Sequence, residues 1–201
     1  MSEHDQTNEP VDGRVARRER NIGSVLDIVI EMFVEDAMFP SMEQVAKRSG
    51  LSLRSLYRYF ADPHALREAA IARNFELARS MSKLRAIGEG PLDRRIDDFV
   101  AMRVGLHRAL AAVFRASVAN RHLPVVGEVQ TRNRAMMREQ FELQFAPELS
   151  VMSGERQTMT IAVGDLLLQV ESIEFLRSGR SFSEAKTRNV LTMSLASLLA
   201  P

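Results

Sequence analysis

The sequence predicts an all-α fold: an N-terminal three-helix unit followed by a larger helical one. Three observations carry the prediction. Apolar residues recur with helical period nearly throughout, and no segment alternates long enough to suggest a sheet. Between Ser41 and Phe60, two short helical stretches flank a turn containing Gly50, the spacing of a helix-turn-helix. Hydrophobic residues make up 45% of the 201, enough to bury a real core. The expected organisation is a disordered tail over 1–16, a helix-turn-helix unit over 17–61 and a helical remainder over 62–201.

The first helix is expected over about 17–36, where Ile22, Val25, Leu26, Val29, Ile30 and Phe33 form an apolar stripe. "AMFPS" breaks it, because Pro40 cannot continue a helix and restricts Phe39 before it. Ser41 and Gln44 have capping-box spacing and open a second helix, which Gly50 ends as a left-handed cap. Ser52 caps a third helix, with Leu51 placed to staple onto Leu56. Asp62 and Pro63 start a fourth as cap and first-turn proline, running to about Leu84. "AIGEGP" reads as a flexible joint. Further helices are expected over about 91–119 (with a break near Gly105), 125–145, 154–177 and 183–199.

Composition excludes several functions. The chain has no cysteine, so disulfides, thiolate metal sites and a cysteine nucleophile are ruled out. Its N-terminus is polar and acidic rather than a signal peptide, and no run approaches the length of a membrane helix, so a soluble, cytoplasmic protein is expected. His4, His64, His107 and His122 show no ligand spacing, so neither metal nor cofactor is expected. No nucleophile triad, phosphate-binding glycine loop or paired carboxylates stand out, so an enzyme is not expected.

Net charge is only +1, but its distribution is uneven. From Gln44 to Phe60 the charged residues are Lys47, Arg48, Arg54 and Arg58, with no carboxylate. Acids gather instead at Asp27, Glu31, Glu35 and Asp36. On a wheel of the third helix, "LRSLYRY", Leu53, Leu56 and Phe60 cluster towards the core while Arg54 and Arg58 point away, flanked by Ser55 and Tyr57. Guanidinium forks pair with guanine or phosphate, and hydroxyls bond phosphates. In a helix-turn-helix this second helix enters the major groove. Upstream, "GRVARRER", with Arg17 and Arg18, reads either as an arm entering the minor groove or as a solubilising tail.

Val25 to Leu66, "VLDIVIEMFVEDAMFPSMEQVAKRSGLSLRSLYRYFADPHAL", resembles the N-terminal region of TetR-type transcriptional regulators. The matching residues are Phe33, Ser41, Ala46, Gly50, the run Leu56 to Phe60, and Leu66. The resemblance implies that Leu53, Arg54, Ser55, Tyr57, Arg58 and Tyr59 meet DNA, with Ser41 near a phosphate. It places Leu53 near bases, whereas the wheel places it towards the core. Two departures stand out: Pro63 occupies the place of a frequent lysine, and "EDAMF" that of a turn that often has glycine.

In the C-terminal half, the helix over 154–177 carries Ala162, Leu166, Val170 and Ile173 in one stripe, widened by Val163, Leu167 and Leu168. The last helix repeats this with Val190, Leu191, Leu195 and Leu198. Helices so broadly apolar need burial on two sides, and a second chain supplies the other side. The resemblance implies the same homodimer, through a four-helix interface. Phe99, Met102, Arg103, His107, Phe114, Met136, Met137 and Phe141 are candidates for an apolar ligand pocket. The expected function is a homodimeric, ligand-responsive regulator, a repressor by resemblance, binding a palindromic double-stranded DNA operator and answering an unknown small-molecule effector. The alternative is a helical protein–protein interaction module with a vestigial helix-turn-helix.

Overall fold

The computed structural model of the chain describes residues 13–200. Among them it is all-α, with ten α-helices, one π-helical turn and no strand. Among the described residues, no helix is long and apolar enough to cross a membrane. The described residues form two compact units, one ending at Ala70 and the other beginning at Ile71.

The first unit contains α1 (Gly13–Asp36), α2 (Met42–Ser49), α3 (Leu53–Tyr59) and the opening turns of α4 (Pro63–Met81). The apolar stripe of α1 buries Val25, Leu26 and Val29 against Met42 and Val45 of α2, Leu56 of α3, Phe60, and Leu66 and Ala70 of α4. Phe33 stacks on Phe39 with ring centroids 4.2 Å apart, closing the far end. Local chemistry sets the angles between these helices. Ser41 accepts from the Gln44 backbone N–H at 3.3 Å while its own N–H donates to the Gln44 side chain at 2.7 Å, a complete capping box. Gly50 adopts φ 70°, the left-handed geometry that lets α2 stop and α3 begin. Ser52 then accepts from the Ser55 N–H at 3.2 Å, and Asp62 from the Ala65 N–H at 2.8 Å.

The second unit holds the rest of α4 with α5 (Leu92–Ala119), α6 (Pro124–Gln144), the short α7 (Ala146–Leu149), α8 (Gly154–Leu168), α9 (Val170–Glu174), a π-helical turn (Phe175–Gly179) and α10 (Glu184–Leu199). Its core joins Ile96, Val100 and Val104 of α5 to Leu191, Leu195 and Leu199 of α10. At its centre three rings interlock: Phe99 lies 6.4 Å from Phe141 and 5.4 Å from Phe145, both edge-on.

Several boundaries differ from expectation. Residues 13–16, expected in a disordered tail, are the first turn of α1; residues 1–12 of that tail lie outside the described residues. α4 ends at Met81, three residues early. α5 runs unbroken through Gly105. The helix expected over 154–177 is interrupted at Gln169, whose ψ of 152° ends α8 and caps α9. Beside the break the Ser172 hydroxyl donates to the Leu166 carbonyl, satisfying a group that a continuous helix would have paired.

Candidate nucleic-acid interface

α3 is short and pinned from one side. Leu56 is fully buried and Phe60 nearly so, which turns Arg54, Tyr57 and Arg58 outward. Arg54 has no hydrogen-bond or ion-pair partner among the described residues. Leu53 is 36% exposed at the first turn of α3, partly covered and partly open, so both the wheel's inward placement and an outward contact are accommodated.

Two predicted residues have more specific settings. Ser55, expected to flank the outward face, is half-buried, and its hydroxyl shares a 2.9 Å hydrogen bond with that of Ser52. It serves the helix cap. Tyr59 is half-buried, and cations stand over its ring: the Arg58 guanidinium carbon at 5.5 Å from the centroid and that of Arg18 at 6.0 Å. Hydrogen bonds from Asn21 and then Arg58 hold its phenol below the usual value, helped by the two nearby positive charges. Tyr59 is therefore the post that orients Arg58 of α3 and Arg18 of α1. Periodicity alone could not show this link, because it spans 41 residues.

Arg17 and Arg18 are exposed on α1. Residues 13–20 being helical corrects the arm reading of "GRVARRER". A helix with side chains is about 10–12 Å across and does not fit a minor groove about 6 Å wide.

The remaining basic residues divide. Arg48 forms a forked pair with Glu35 at 2.7 and 3.0 Å, bracing α2 on α1, and this hydrogen bonding holds the Glu35 carboxyl below its ordinary value. Lys47 stays exposed on the last turn of α2. Ser41 is exposed at the N-terminus of α2, its hydroxyl engaged in the capping box.

The expected pocket residues divide as well. Arg103, His107, Met137 and Phe141 are buried in the second unit, and Phe114 and Met136 are half-buried. His107 bonds Glu174 at 2.7 Å rather than facing a cavity. Phe99 and Met102 do line a cavity of ≈ 1080 Å³ formed with the segment after α4 and the first half of α5. Lys83, Leu84 and Arg85 also line it. Those residues were missed because the fourth helix was expected to run to about Leu84, whereas it ends at Met81 and the segment after it turns inward without a periodicity to mark it.

The expected dimer residues need correction too. Ile173, Leu191 and Leu195 are at most 1% exposed within this chain's own core, so no partner can reach them. Val170 and Leu198 are half-buried. Leu166 is outward, 66% exposed, together with Met159 and Val163 on α8 and Met193 on α10. The break at Gln169 rotates α9 out of register with α8, which is why one stripe could not continue through both.

No family model and no curated protein matches the chain. Solved structures do. A TetR-family transcriptional regulator from Streptomyces coelicolor superposes with a TM-score of 0.65 at 21% identity, covering 91% of this chain and 80% of that one. A protein described as a transcriptional regulator from Pseudomonas aeruginosa PAO1 superposes with a TM-score of 0.66 at 14% identity, covering 90% and 91%. The chain has the fold of TetR-family regulators.

Proposed function

We propose that this chain, having the fold of TetR-family regulators, is a homodimeric, ligand-responsive transcriptional regulator that acts as a repressor on a palindromic operator. The observation that carries the reading is the outward face of α3, where Arg54, Tyr57 and Arg58 stand exposed on a helix without a carboxylate. Such a face suits a major groove: arginine forks read guanine, and the phenol and flanking cations hold phosphates. Leu53 is exposed enough to cover a thymine methyl. Ser41 and the first turn of α2 lie where a helix-turn-helix crosses the backbone. Arg17 and Arg18 approach from α1 as phosphate contacts.

Dimerisation through the outward sides of α8 and α10 would place two copies of α3 about one DNA turn apart, roughly 34 Å or a multiple of it. An effector bound in the second unit would favour a state with the wrong spacing. Moving the population from mostly bound to mostly released takes about 5.5 kcal/mol of differential affinity. α4, which contains the boundary between the units, is the proposed lever.

The test is selection of duplexes from a random pool, with an Arg54→Ala, Arg58→Ala double variant alongside. An inverted repeat enriched by the wild type and lost in the variant is the expected result. No enrichment at low salt would overturn the reading in favour of a protein-interaction module, for which Pro63 in place of a phosphate-binding lysine would be the first clue. Affinity that falls steeply with salt separates the two readings independently.

A further inference from the structure

The second unit contains a cavity of ≈ 1080 Å³, the size of a small-molecule site. One wall is α5 from Arg94 to Arg108, about 21 Å of helix at a rise of about 1.5 Å per residue. The other is the end of α4 and the segment 82–91 that follows it. That segment is tied down at both ends. Gln140 donates to the Ser82 carbonyl at 2.9 Å, and Arg95 Nε donates to the Gly90 carbonyl at 3.1 Å. The cavity is therefore long, with walls fixed by the protein's own bonds.

Gly105 is the wall residue that the fold alone does not explain. It lies inside an unbroken helix of 28 residues, where glycine is disfavoured. Close packing does not require it, because an added Cβ would meet nothing within 4 Å. Gly105 lines the cavity instead, on the stretch between Met102 and Arg108. A bare backbone there widens the cavity and lets the body of a ligand approach the helix closely.

The floor is apolar, made by Leu84, Phe99, Met102 and Leu106. Charged groups border it, and most are paired. Arg95 is taken up by Glu148, Arg94 leans on Asp98 at 4.0 Å, and Arg108 on Glu184 at 3.3 Å. Lys83 and Arg85 are exposed and make no ion pair among the described residues. Glu89 is also outside any ion pair, but it stands four residues beyond Arg85, towards the start of α5. The mouth beside Lys83 and Arg85 therefore attracts an anion, and the floor a chain.

We propose that this cavity takes a linear aliphatic amphiphile with an anionic head, its chain lying along Phe99, Met102 and Gly105 and its head at the mouth on Lys83 and Arg85. The inference rests on the reading of the second unit as effector-binding and names the chemical class of the effector. Ser80 and Met81, in the last turn of α4, line the same cavity, so the chain bears on the helix proposed as the lever.

The experiment is calorimetric titration of the full chain at low salt with hexanoate, decanoate and decyltrimethylammonium, which has the decanoate-like chain and the opposite charge. The wild type is expected to bind decanoate saturably, each methylene beyond hexanoate tightening binding by up to about fourfold, the value of a buried CH₂. Decyltrimethylammonium should bind at least about fivefold more weakly than decanoate, a modest preference because the cations at the mouth are exposed. Lys83→Gln with Arg85→Gln should bind the two heads alike. Gly105→Leu should fill the cavity and weaken decanoate at least about tenfold, with Gly105→Ala intermediate. Neither substitution should lower the melting temperature, since both replace a glycine inside a helix without a clash.

Absence of saturable decanoate binding, indifference to chain length, equal binding of both heads by the wild type, a preference kept by the Lys83, Arg85 variant, or full affinity in a folded Gly105→Leu would each overturn the proposal. If Gly105→Leu does not fold, Gly105→Ala carries the same test with a smaller loss. Duplex binding by the same preparations without amphiphile is read separately. Failure with decanoate while salt-sensitive duplex binding persists removes this inference alone. Decanoate binding without any duplex binding removes the regulator reading instead, and failure of both removes both.

Discussion

Ala37, just past the end of α1, holds φ 52°, a left-handed conformation that an alanine Cβ disfavours. Ala37→Gly is expected to stabilise the protein by about 1 kcal/mol or slightly less, since glycine also gains freedom in the unfolded chain. A rise in the urea midpoint at unchanged slope checks this; a fall would mean that the alanine methyl makes a contact worth more than the strain. Arg54 makes the opposite kind of contribution, with no partner of its own to lose among the described residues. Arg54→Ala should leave the urea midpoint within about 0.5 kcal/mol of wild type. It should cost about 1–3 kcal/mol of affinity at one base position of the selected site. A base-substitution series with unchanged preference would exclude direct readout by this residue. Both arginines of α3 were legible in the sequence, because their wheel position depends on seven consecutive residues. The hold of Tyr59 on Arg18 and Arg58 was not, because it requires α1 and α3 to be brought together first.

At the scale of elements, α6 and α8 meet at Gly164, where an added Cβ would lie 2.2 Å from the Phe141 ring. Phe141 cannot retreat, being fully buried against Phe145 at a centroid distance of 5.0 Å. Gly164→Ala should therefore destabilise by about 1–3 kcal/mol through overpacking, read as a lowered melting temperature. A neutral result would mean that α8 slides easily on α6. α9 is tied to α5 by polar groups instead: Glu174 takes hydrogen bonds from His107 at 2.7 Å, Ser178 at 2.8 Å and Arg115 at 3.1 Å. Burial would raise the Glu174 carboxyl, but these bonds outweigh it and hold the group below its ordinary 4.5. A depressed folded pKa stabilises above the ordinary value, and that contribution is lost as pH falls through the lower, folded one. Glu174→Gln should therefore cost stability at neutral pH and flatten the acid limb of the stability curve below about pH 4.5. An acid limb as steep as the wild type's would place the lost stability elsewhere. Capping and turn signals act within four residues, so the first unit's helices were readable one by one. The interruption at Gln169 has neither glycine nor proline to announce it. It lies just beyond the close approach of Gly164 to Phe141, residues 23 apart in sequence, and only packing brings them together.

For the whole molecule, the decisive question is which apolar residues of α8 and α10 hold the chain together and which would hold two chains together in the proposed dimer. Periodicity marked both helices as apolar on more than one face but could not divide inside from outside, since that depends on how α10 rolls against α5. Leu191 and Leu195 face inward onto α5, while Met159, Val163, Leu166 and Met193 remain exposed at 60%, 43%, 66% and 72%. Large apolar side chains grouped on facing helices mark an association surface, and in a closed two-fold dimer the same patch serves both partners. Two variants then separate the roles. Leu195→Ala should destabilise each protomer by about 2–5 kcal/mol through a core cavity while leaving association unchanged. Leu166→Asp combined with Met193→Asp should leave the fold intact by circular dichroism and shift sedimentation from dimer to monomer. The monomer should then bind an inverted repeat no better than a single half-site, because symmetric spacing, and not the chemistry of α3, is what it has lost. A double variant that stays dimeric would move the interface off α8 and α10. A monomer that keeps full affinity for the inverted repeat would instead show that each α3 reads its half-site independently, and an effector acting through spacing would have no lever.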